Sequence, residues 1–299
     1  MSVLRLAYLG ANATDLESWR KYNTEVLGLE IGRDSSERLL YLRYDDRHHR
    51  LCLHAADNDD IAYVGWEVAN NAALDAMASN LERRGIAVQS GTANEMADRR
   101  VLGLIHFKCP YTGVRMEFAF GHEGVFIPRF RPTRDLSGFL TGELGMGHVV
   151  LYTAPTDVKP AAKFYVDTLG MGISDFVVTQ DGTEVAAFLH CNPRHHSLAL
   201  FGSAKAPRKL QHVFLETNSI DDVGTTYDVC LERELAATSI GRHPDDRSVS
   251  FYFRNPSNWY FEYGWQLRTI DPQKHATEQY VIGPGRTGAW GHAGIWKMA

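Results

Sequence analysis

The segment HVVLYTAPTDVKPAAKFYVDTLG at residues 148–170 decides the fold, because it repeats an earlier segment of the same chain. The earlier segment is LAYLGANATDLESWRKYNTEVLG at residues 6–28. Each begins as a short apolar strand, continues into a helical run and ends at a Leu-Gly pair. Glycine tolerates the left-handed conformation that ends many helices, so Gly28 and Gly170 predict helix C-caps at equivalent positions.

The repeat continues further along the chain. YVGWEV at 63–68 resembles HVFLET at 212–217, and RMEF at 115–118 resembles YFEY at 260–263. The spacing between matching segments drifts slightly, as insertions in loops would make it do. The chain is therefore predicted to consist of two homologous halves.

Within each half, helical runs alternate with short segments rich in β-forming residues and bounded by Gly, Asp, Asn and Pro. The order is β-α-β-β-β, twice per half. We therefore predict an α+β fold with two homologous domains, residues 1–135 and 136–299, each of two βαβββ modules that form a cupped sheet or barrel. The join is placed in the Pro- and Arg-rich stretch at 128–134.

Composition narrows the classes of function. The 299 residues are 44% hydrophobic and 22% charged, as in ordinary globular proteins. The 31 Lys and Arg residues are outnumbered by 36 Asp and Glu residues, which argues against nucleic-acid binding. No apolar run approaches the roughly 18 residues of a membrane span, and the start does not look like a signal peptide. Four scattered cysteines are typical of a reduced cytoplasm, so we expect a cytoplasmic protein whose partner is a small molecule or another chain.

Histidines at repeat positions indicate a metal site. His148 opens the first strand of one module, His212 opens the first strand of the next, and Glu262 lies in the last strand of that second module. If the modules pair about a pseudo-twofold axis, the three side chains converge. Two imidazoles and one carboxylate form a facial triad with open coordination positions, which suits an Fe(II) ion that must bind both substrate and dioxygen.

The first half is expected to lack this site. Its counterparts of the three residues are assigned as Leu6, Tyr63 and Glu117. Leucine cannot bind a metal, and a glutamate with a tyrosine makes a poor site. The first half is therefore predicted to be metal-free and structural.

Further polar side chains are candidates for the reaction. Side chains alternate along a strand, so one of His195 and His196 must point inward. An inward His196 beside a metal would serve as an acid or base, whereas His195 is expected at a surface turn. His243 and Tyr252 could hydrogen bond to a phenolic substrate. From the residues alone, a packing role for these two side chains stays open.

These motifs together resemble a known family. The chain resembles the type I extradiol ring-cleavage dioxygenases of the vicinal oxygen chelate superfamily, the group of 2,3-dihydroxybiphenyl dioxygenases. The likeness covers nearly the whole chain, and the stretches that carry it are GMGHVV (145–150), FYVDTLG (164–170), FLHCNPRHH (188–196), HVFLE (212–216), GRH (241–243), SFY (250–252), FEYG (261–264) and WGH (290–292).

The resemblance implies an activity and a metal. The expected reaction is extradiol cleavage of a catecholic aromatic diol by dioxygen, in the degradation of aromatic compounds. The expected cofactor is Fe(II), with Mn(II) as the alternative, held by His148, His212 and Glu262. The resemblance also implies a homo-oligomer.

The resemblance also assigns roles in the pocket. His196 matches the family's acid-base histidine, and His243 and Tyr252 match its substrate hydrogen-bonding residues. Phe188 matches an aromatic of the pocket wall.

One departure concerns the substrate. After Gly-Arg-His the family usually has Thr-Asn-Asp, whereas this chain has Pro244-Asp245-Asp246. Asp245 and Asp246 are assigned to the substrate-binding loop. Another difference, Asn258 in place of Gly or Pro, is expected to change only turn geometry.

Two other functions are weighed on the same fold. A glyoxalase-like lyase or isomerase would use a similar metal site with Zn²⁺ or Ni²⁺ and no oxygen, but it would not need the pair His196 and Tyr252. A non-catalytic small-molecule binding protein would need no metal, and the set His148, His212 and Glu262 argues against it.

Overall fold

The computed structural model describes residues 3–282, 289–295 and 298. In the described part of the first half, the strands and α-helices follow the order β-α-β-β-β twice, with a short extra helix in the second module. They are β1 (Arg5–Ala13), α1 (Leu16–Tyr22), β2 (Glu30–Ile31), β3 (Leu39–Arg43), β4 (Leu51–Ala55), β5 (Ile61–Glu67), α2 (Asn71–Arg83), β6 (Gln89–Ser90), α3 (Ala93–Arg99), β7 (Gly103–Lys108) and β8 (Arg115–Phe120).

The second half repeats this order and adds one strand. Its elements are β9 (His148–Thr153), α4 (Val158–Leu169), β10 (Gly172–Val178), β11 (Glu184–His190), β12 (Leu198–Gly202), β13 (Leu210–Glu216), α5 (Ile220–Glu232), β14 (Gly241–Arg242), β15 (Val249–Arg254), β16 (Tyr260–Trp265) and β17 (Glu278–Val281). The prediction of an α+β fold with two homologous halves of βαβββ modules is confirmed.

Helix ends follow from local backbone geometry. Helix α1 passes into a π-helical turn at Asn23–Leu27, which ends at Gly28 with a φ of 74°. Helix α4 ends at Gly170 with a φ of 70°. Both glycines adopt the left-handed conformation that the repeat predicted. Helix α5 ends at Glu232, and Glu234, two residues further on, has a left-handed φ of 56°.

Each half forms one sheet in which two modules meet at a central antiparallel pair. The first sheet has the order β2-β3-β4-β1-β5-β8-β7-β6, and the second has the order β14-β15-β16-β13-β9-β12-β11-β10-β17. The central pairs are β1 with β5 and β9 with β13. On the outer side of each central pair lies a parallel neighbour, for example β16 beside β13. Residues of three adjacent strands can therefore converge at the seam between modules.

The two halves pack against each other through apolar side chains. Trp19 of α1 is fully buried, and its ring lies 5.4 Å from that of Trp259 in the second half. The Trp19 indole N–H donates a hydrogen bond to the Ser257 hydroxyl at 2.9 Å. Burial of large aromatic rings of this kind contributes strongly to stability. In the described part of the chain, no helix has the length and apolar composition to cross a bilayer.

Candidate active site

Three predicted metal ligands lie together at the seam between the modules of the second half. His148, at the start of β9, pairs with Phe214 of β13, and Phe214 pairs with Glu262 of β16. His212 lies two residues before Phe214, so its side chain is on the same face of the strand. All three side chains are buried.

The ligand atoms form a nearly equilateral triangle. The Nε2 atoms of His148 and His212 are 3.1 Å apart, and Glu262 Oε2 lies 3.4 Å from the former and 3.1 Å from the latter. With metal–ligand distances of about 2.1 Å, neighbouring ligands of an octahedral ion lie about 3.0 Å apart. The triangle therefore fits the facial arrangement of a divalent metal.

Neighbouring side chains orient these ligands. Gln211 Oε1 lies against Nδ1 of His212, which leaves Nε2 as the free coordinating atom. Ser250 donates a hydrogen bond of 2.5 Å to Glu262 Oε1, the oxygen that does not face the two histidines. Sequence reasoning did not select Ser250 or Gln211. Strand alternation could have found Ser250, because it lies two residues from Tyr252 and shares its face.

His243 and Tyr252 lie beside the triad. Nε2 of His243 is 3.0 Å from the Tyr252 hydroxyl and 3.3 Å from Glu262 Oε1. Although burial lowers the pKa of His243, its hydrogen bond to Glu262 and the charge of Asp246 raise it to about 9. Burial and the charge of Glu262 raise the pKa of Tyr252 well above its ordinary value. Both side chains therefore retain their protons and can donate hydrogen bonds at neutral pH.

His196 lies between His148, a predicted metal ligand, and the aromatic ring of Phe188. Its ring centroid is 4.1 Å from that of His148 and 4.8 Å from that of Phe188. Burial, with the nearby imidazoles of His148 and His195, holds the pKa of His196 well below its ordinary value. The imidazole is therefore neutral at pH 7 and can accept a proton.

The expectation of a surface position for His195 is wrong. His195 is fully buried, its Nδ1 lies 3.1 Å from Nδ1 of His196, and its Nε2 lies 2.7 Å from the carboxylate of Asp175. The reason is that residues 192–197 fold inward, with the backbone N–H of His195 donating to the Arg268 carbonyl. Asp175 is also fully buried and was not selected from the sequence.

A cavity of about 540 Å³ opens onto the triad. This volume lies within the usual range of small-molecule sites. All nine residues assigned to the site from the sequence line it: His148, Phe188, His196, His212, His243, Asp245, Asp246, Tyr252 and Glu262. Its other walls are mainly apolar, with Val150, Ala199 and Phe201 among them.

The first half contains a related but different arrangement. Tyr8 of β1 pairs with Gly65 of β5, which pairs with Glu117 of β8. This is the register of His148, Phe214 and Glu262, so the counterpart of His148 is Tyr8, and the assignment of Leu6 is wrong. The reason is that Gly28 follows Tyr8 by 20 residues whereas Gly170 follows His148 by 22, so a constant spacing counted from the two glycines misses Tyr8 by two positions.

Arg99 is the ion-pair partner of Glu117, a carboxylate that is buried in the first half. Its guanidinium donates to both oxygens of Glu117, at 3.0 and 3.1 Å. The Tyr8 hydroxyl donates to the same carboxylate at 2.9 Å. Arg99 and Glu117 are both buried. A fixed cation thus neutralises the carboxylate that corresponds to Glu262.

This ion pair gives a test of the structural role of the first half. Arg99→Met is expected to lower the free energy of unfolding by about 3 kcal/mol, because it leaves a buried carboxylate without its main partner. Urea unfolding measures the change, and Arg99→Met/Glu117→Gln should recover part of the loss. Lys163→Met, which removes only an exposed ion pair with Asp167, should cost about 0.5 kcal/mol or less. An Arg99→Met protein as stable as the parent would contradict the role given to the pair.

Comparisons with known proteins agree with this geometry. The profile described as Glyoxalase/Bleomycin resistance protein/Dioxygenase superfamily matches residues 145–263, and the profile described as Dihydroxybiphenyl dioxygenase BphC D1 matches residues 6–55. A biphenyl-2,3-diol 1,2-dioxygenase of Paraburkholderia xenovorans is 39% identical over 99% of this chain and 97% of its own.

Two further proteins extend the likeness. An iron-dependent extradiol dioxygenase of Rhodococcus jostii is 35% identical over 98% of this chain and 97% of its own. The crystal structure of a catechol 2,3-dioxygenase superposes with a TM-score of 0.89 at 32% identity, covering 98% of this chain and 96% of that one.

Proposed function

The chain belongs to the extradiol ring-cleavage dioxygenases of the vicinal oxygen chelate superfamily, and from this membership we propose which of its residues carry the reaction. It is an enzyme that uses dioxygen to open a catecholic ring beside the diol, in the degradation of aromatic compounds. The reaction is assigned to the second half, residues 136–299, and the first half, residues 1–135, is assigned a structural role.

The metal is assigned as Fe(II), bound by His148, His212 and Glu262. The observation that carries this assignment is the triangle of ligand atoms with sides of 3.1, 3.1 and 3.4 Å, open to the cavity. Similarity to an enzyme named as iron-dependent supports iron over manganese. The bound metal supplies Lewis acidity that lowers the pKa of the diol and brings the diol and dioxygen together.

The side chains around the triad bind the substrate and move its proton. His243 and Tyr252 orient the diol oxygens by hydrogen bonds. His196 is neutral, and its Nδ1 is engaged with His195, so Nε2 accepts a proton from the diol and returns it during ring cleavage. A general acid-base group in this role increases the reaction rate roughly 10²–10⁴-fold.

The cavity binds the aromatic body of the substrate. Its apolar walls and the ring of Phe188 exclude water from the reacting atoms. A cavity of about 540 Å³ has room for a substituted mono- or bicyclic diol. Assembly into a homo-oligomer stays a prediction from the family resemblance.

The proposal is tested by anaerobic reconstitution with Fe(II) or Mn(II), followed by oxygen uptake with a panel of catechols. We expect one O₂ consumed per catechol, a yellow ring-opened product, and higher activity with Fe(II). Turnover that proceeds equally well without oxygen would instead favour the lyase or isomerase. Tight catechol binding with no metal bound would favour a binding protein.

A further inference from the structure

Among the charged side chains that line the cavity, negative charges outnumber positive charges. Three carboxylates, those of Asp245, Asp246 and Glu262, face it, and no Lys or Arg is among the described residues that line it. The other charged or chargeable groups there are histidines and tyrosines, and among them the protonated His243 acts electrostatically on Asp245. An anionic part of a ligand would therefore find little compensation beyond the metal centre and His243.

Two of the three carboxylates already have partners. Glu262 accepts from Ser250 and faces His148, His212 and His243. Asp246 Oδ1 accepts from the backbone N–H of Ser248 at 2.9 Å and from its hydroxyl at 2.8 Å. These contacts fix both groups in place and offset part of their charge.

Asp245 differs from these two. It is only 6% exposed and lines the cavity. Its carboxylate receives a backbone hydrogen bond from its own residue, and none from another side chain in the described part of the chain. A buried carboxylate that accepts no hydrogen bond from another side chain disfavours a second negative charge nearby and favours a donor or a cation. An asparagine side chain has nearly the same shape as Asp245 but no charge, so this exchange isolates the effect of the charge.

The size of the effect follows from Coulomb's law. Two like charges about 6 Å apart, at the effective dielectric constant of about 20 that suits protein sites, repel by an amount equivalent to roughly 100-fold in binding. Burial and the neighbouring Asp246 raise the pKa of Asp245 to about 6. The group is therefore mainly ionised at pH 7.5.

We propose that Asp245 selects substrates by charge, so that the enzyme accepts catechols with a neutral or cationic ring substituent and rejects those that carry a carboxylate. The inference rests on the proposed binding of catechols in this cavity, and it deepens that proposal by naming the substrate class. Shape sets which neutral rings fit, and Asp245 sets which charges are tolerated.

The test compares Asp245→Asn with the parent enzyme, both loaded with Fe(II), at pH 7.5. The substrates are 3-methylcatechol, 3-(aminomethyl)catechol and 3-(2-carboxyethyl)catechol, which carry a neutral, a cationic and an anionic substituent. We expect the parent to prefer the neutral to the anionic substrate by about 100-fold in kcat/KM. Asp245→Asn should reduce that ratio at least tenfold. It should also lower kcat/KM for the cationic substrate relative to that for the neutral substrate.

A matched control variant distinguishes the effect of a charge beside the cavity from the effect of a change in the protein's net charge. Asp181 lies in the exposed turn between β10 and β11, and Asp181→Asn makes the same chemical change without altering the ratio. A ratio for Asp245→Asn within twofold of the parent overturns the proposal. Should the variant not fold, anaerobic dissociation constants of the parent for the three catechols decide the point, and equal affinities overturn it. Absence of cleavage of every catechol by the parent would count against the proposed function instead.

Discussion

Replacement of His196 by phenylalanine is expected to lower kcat by roughly 10²–10⁴ while the enzyme still binds its metal and its catechol. The imidazole packs between the rings of His148 and Phe188, and phenylalanine fills a similar volume in that position. What is lost is the nitrogen that accepts and returns a proton. The measurement combines oxygen uptake, metal content per chain and anaerobic catechol titration.

The chain provides its own control for this variant. His49 is the second residue of the pair at 48–49, which corresponds to the pair at 195–196. The Nδ1 atoms of His48 and His49 lie 3.0 Å apart, much as in the second half. His49→Phe should therefore leave turnover unchanged, because among the described residues no group of three possible metal ligands includes or adjoins His49. Normal turnover in His196→Phe would remove this residue from the mechanism.

Replacement of Glu262 by glutamine should abolish activity by removing the metal. The change keeps the shape of the side chain but removes the only negative charge of the ligand triangle. Even changes outside the ligand set commonly cost 10–100-fold in metal affinity, so loss of a ligand's charge should cost at least about 100-fold. Metal analysis after dialysis against a chelator measures retention, and oxygen uptake measures activity.

Glu117→Gln is the matched change in the first half. Glu117 occupies the register position of Glu262, but its partners are Arg99, Arg115 and Tyr8. This variant is expected to lose stability and to keep its full metal content. If Glu262→Gln retained metal as well as Glu117→Gln does, the assignment of the ligand triangle would be wrong.

The features of the fold that could be predicted from the sequence are its strand and helix patterns. The two Leu-Gly ends at Gly28 and Gly170 predicted the helix ends and, through them, the duplication. Local backbone preferences depend on short stretches of sequence. A repeat of such stretches can therefore be recognised before the fold is known. The predicted metal ligands were selected in the same way, because His148 and His212 lie in the first strands of consecutive modules.

The positions of Tyr8, His195 and Asp175 could not be predicted in this way. The segment from strand to helix end is two residues longer in the second half, and counting back from Gly28 and Gly170 therefore pointed to Leu6 instead of Tyr8. His195 is buried because distant residues meet it: Asp175 of β10 and the backbone of Arg268. Neither contact can be predicted from the residues that neighbour His195 in the sequence.

By itself, the sequence determined that the chain is a duplicated α+β protein of the extradiol dioxygenase family. Only the tertiary structure decided which atoms meet: the triangle of His148, His212 and Glu262, the Arg99–Glu117 pair in the other half, and the buried carboxylate of Asp245 beside the cavity. The physical reason is that hydrogen-bonding and hydrophobic preferences act between neighbours in the chain, whereas coordination, ion pairing and desolvation depend on distances across strands, which only the folded chain sets.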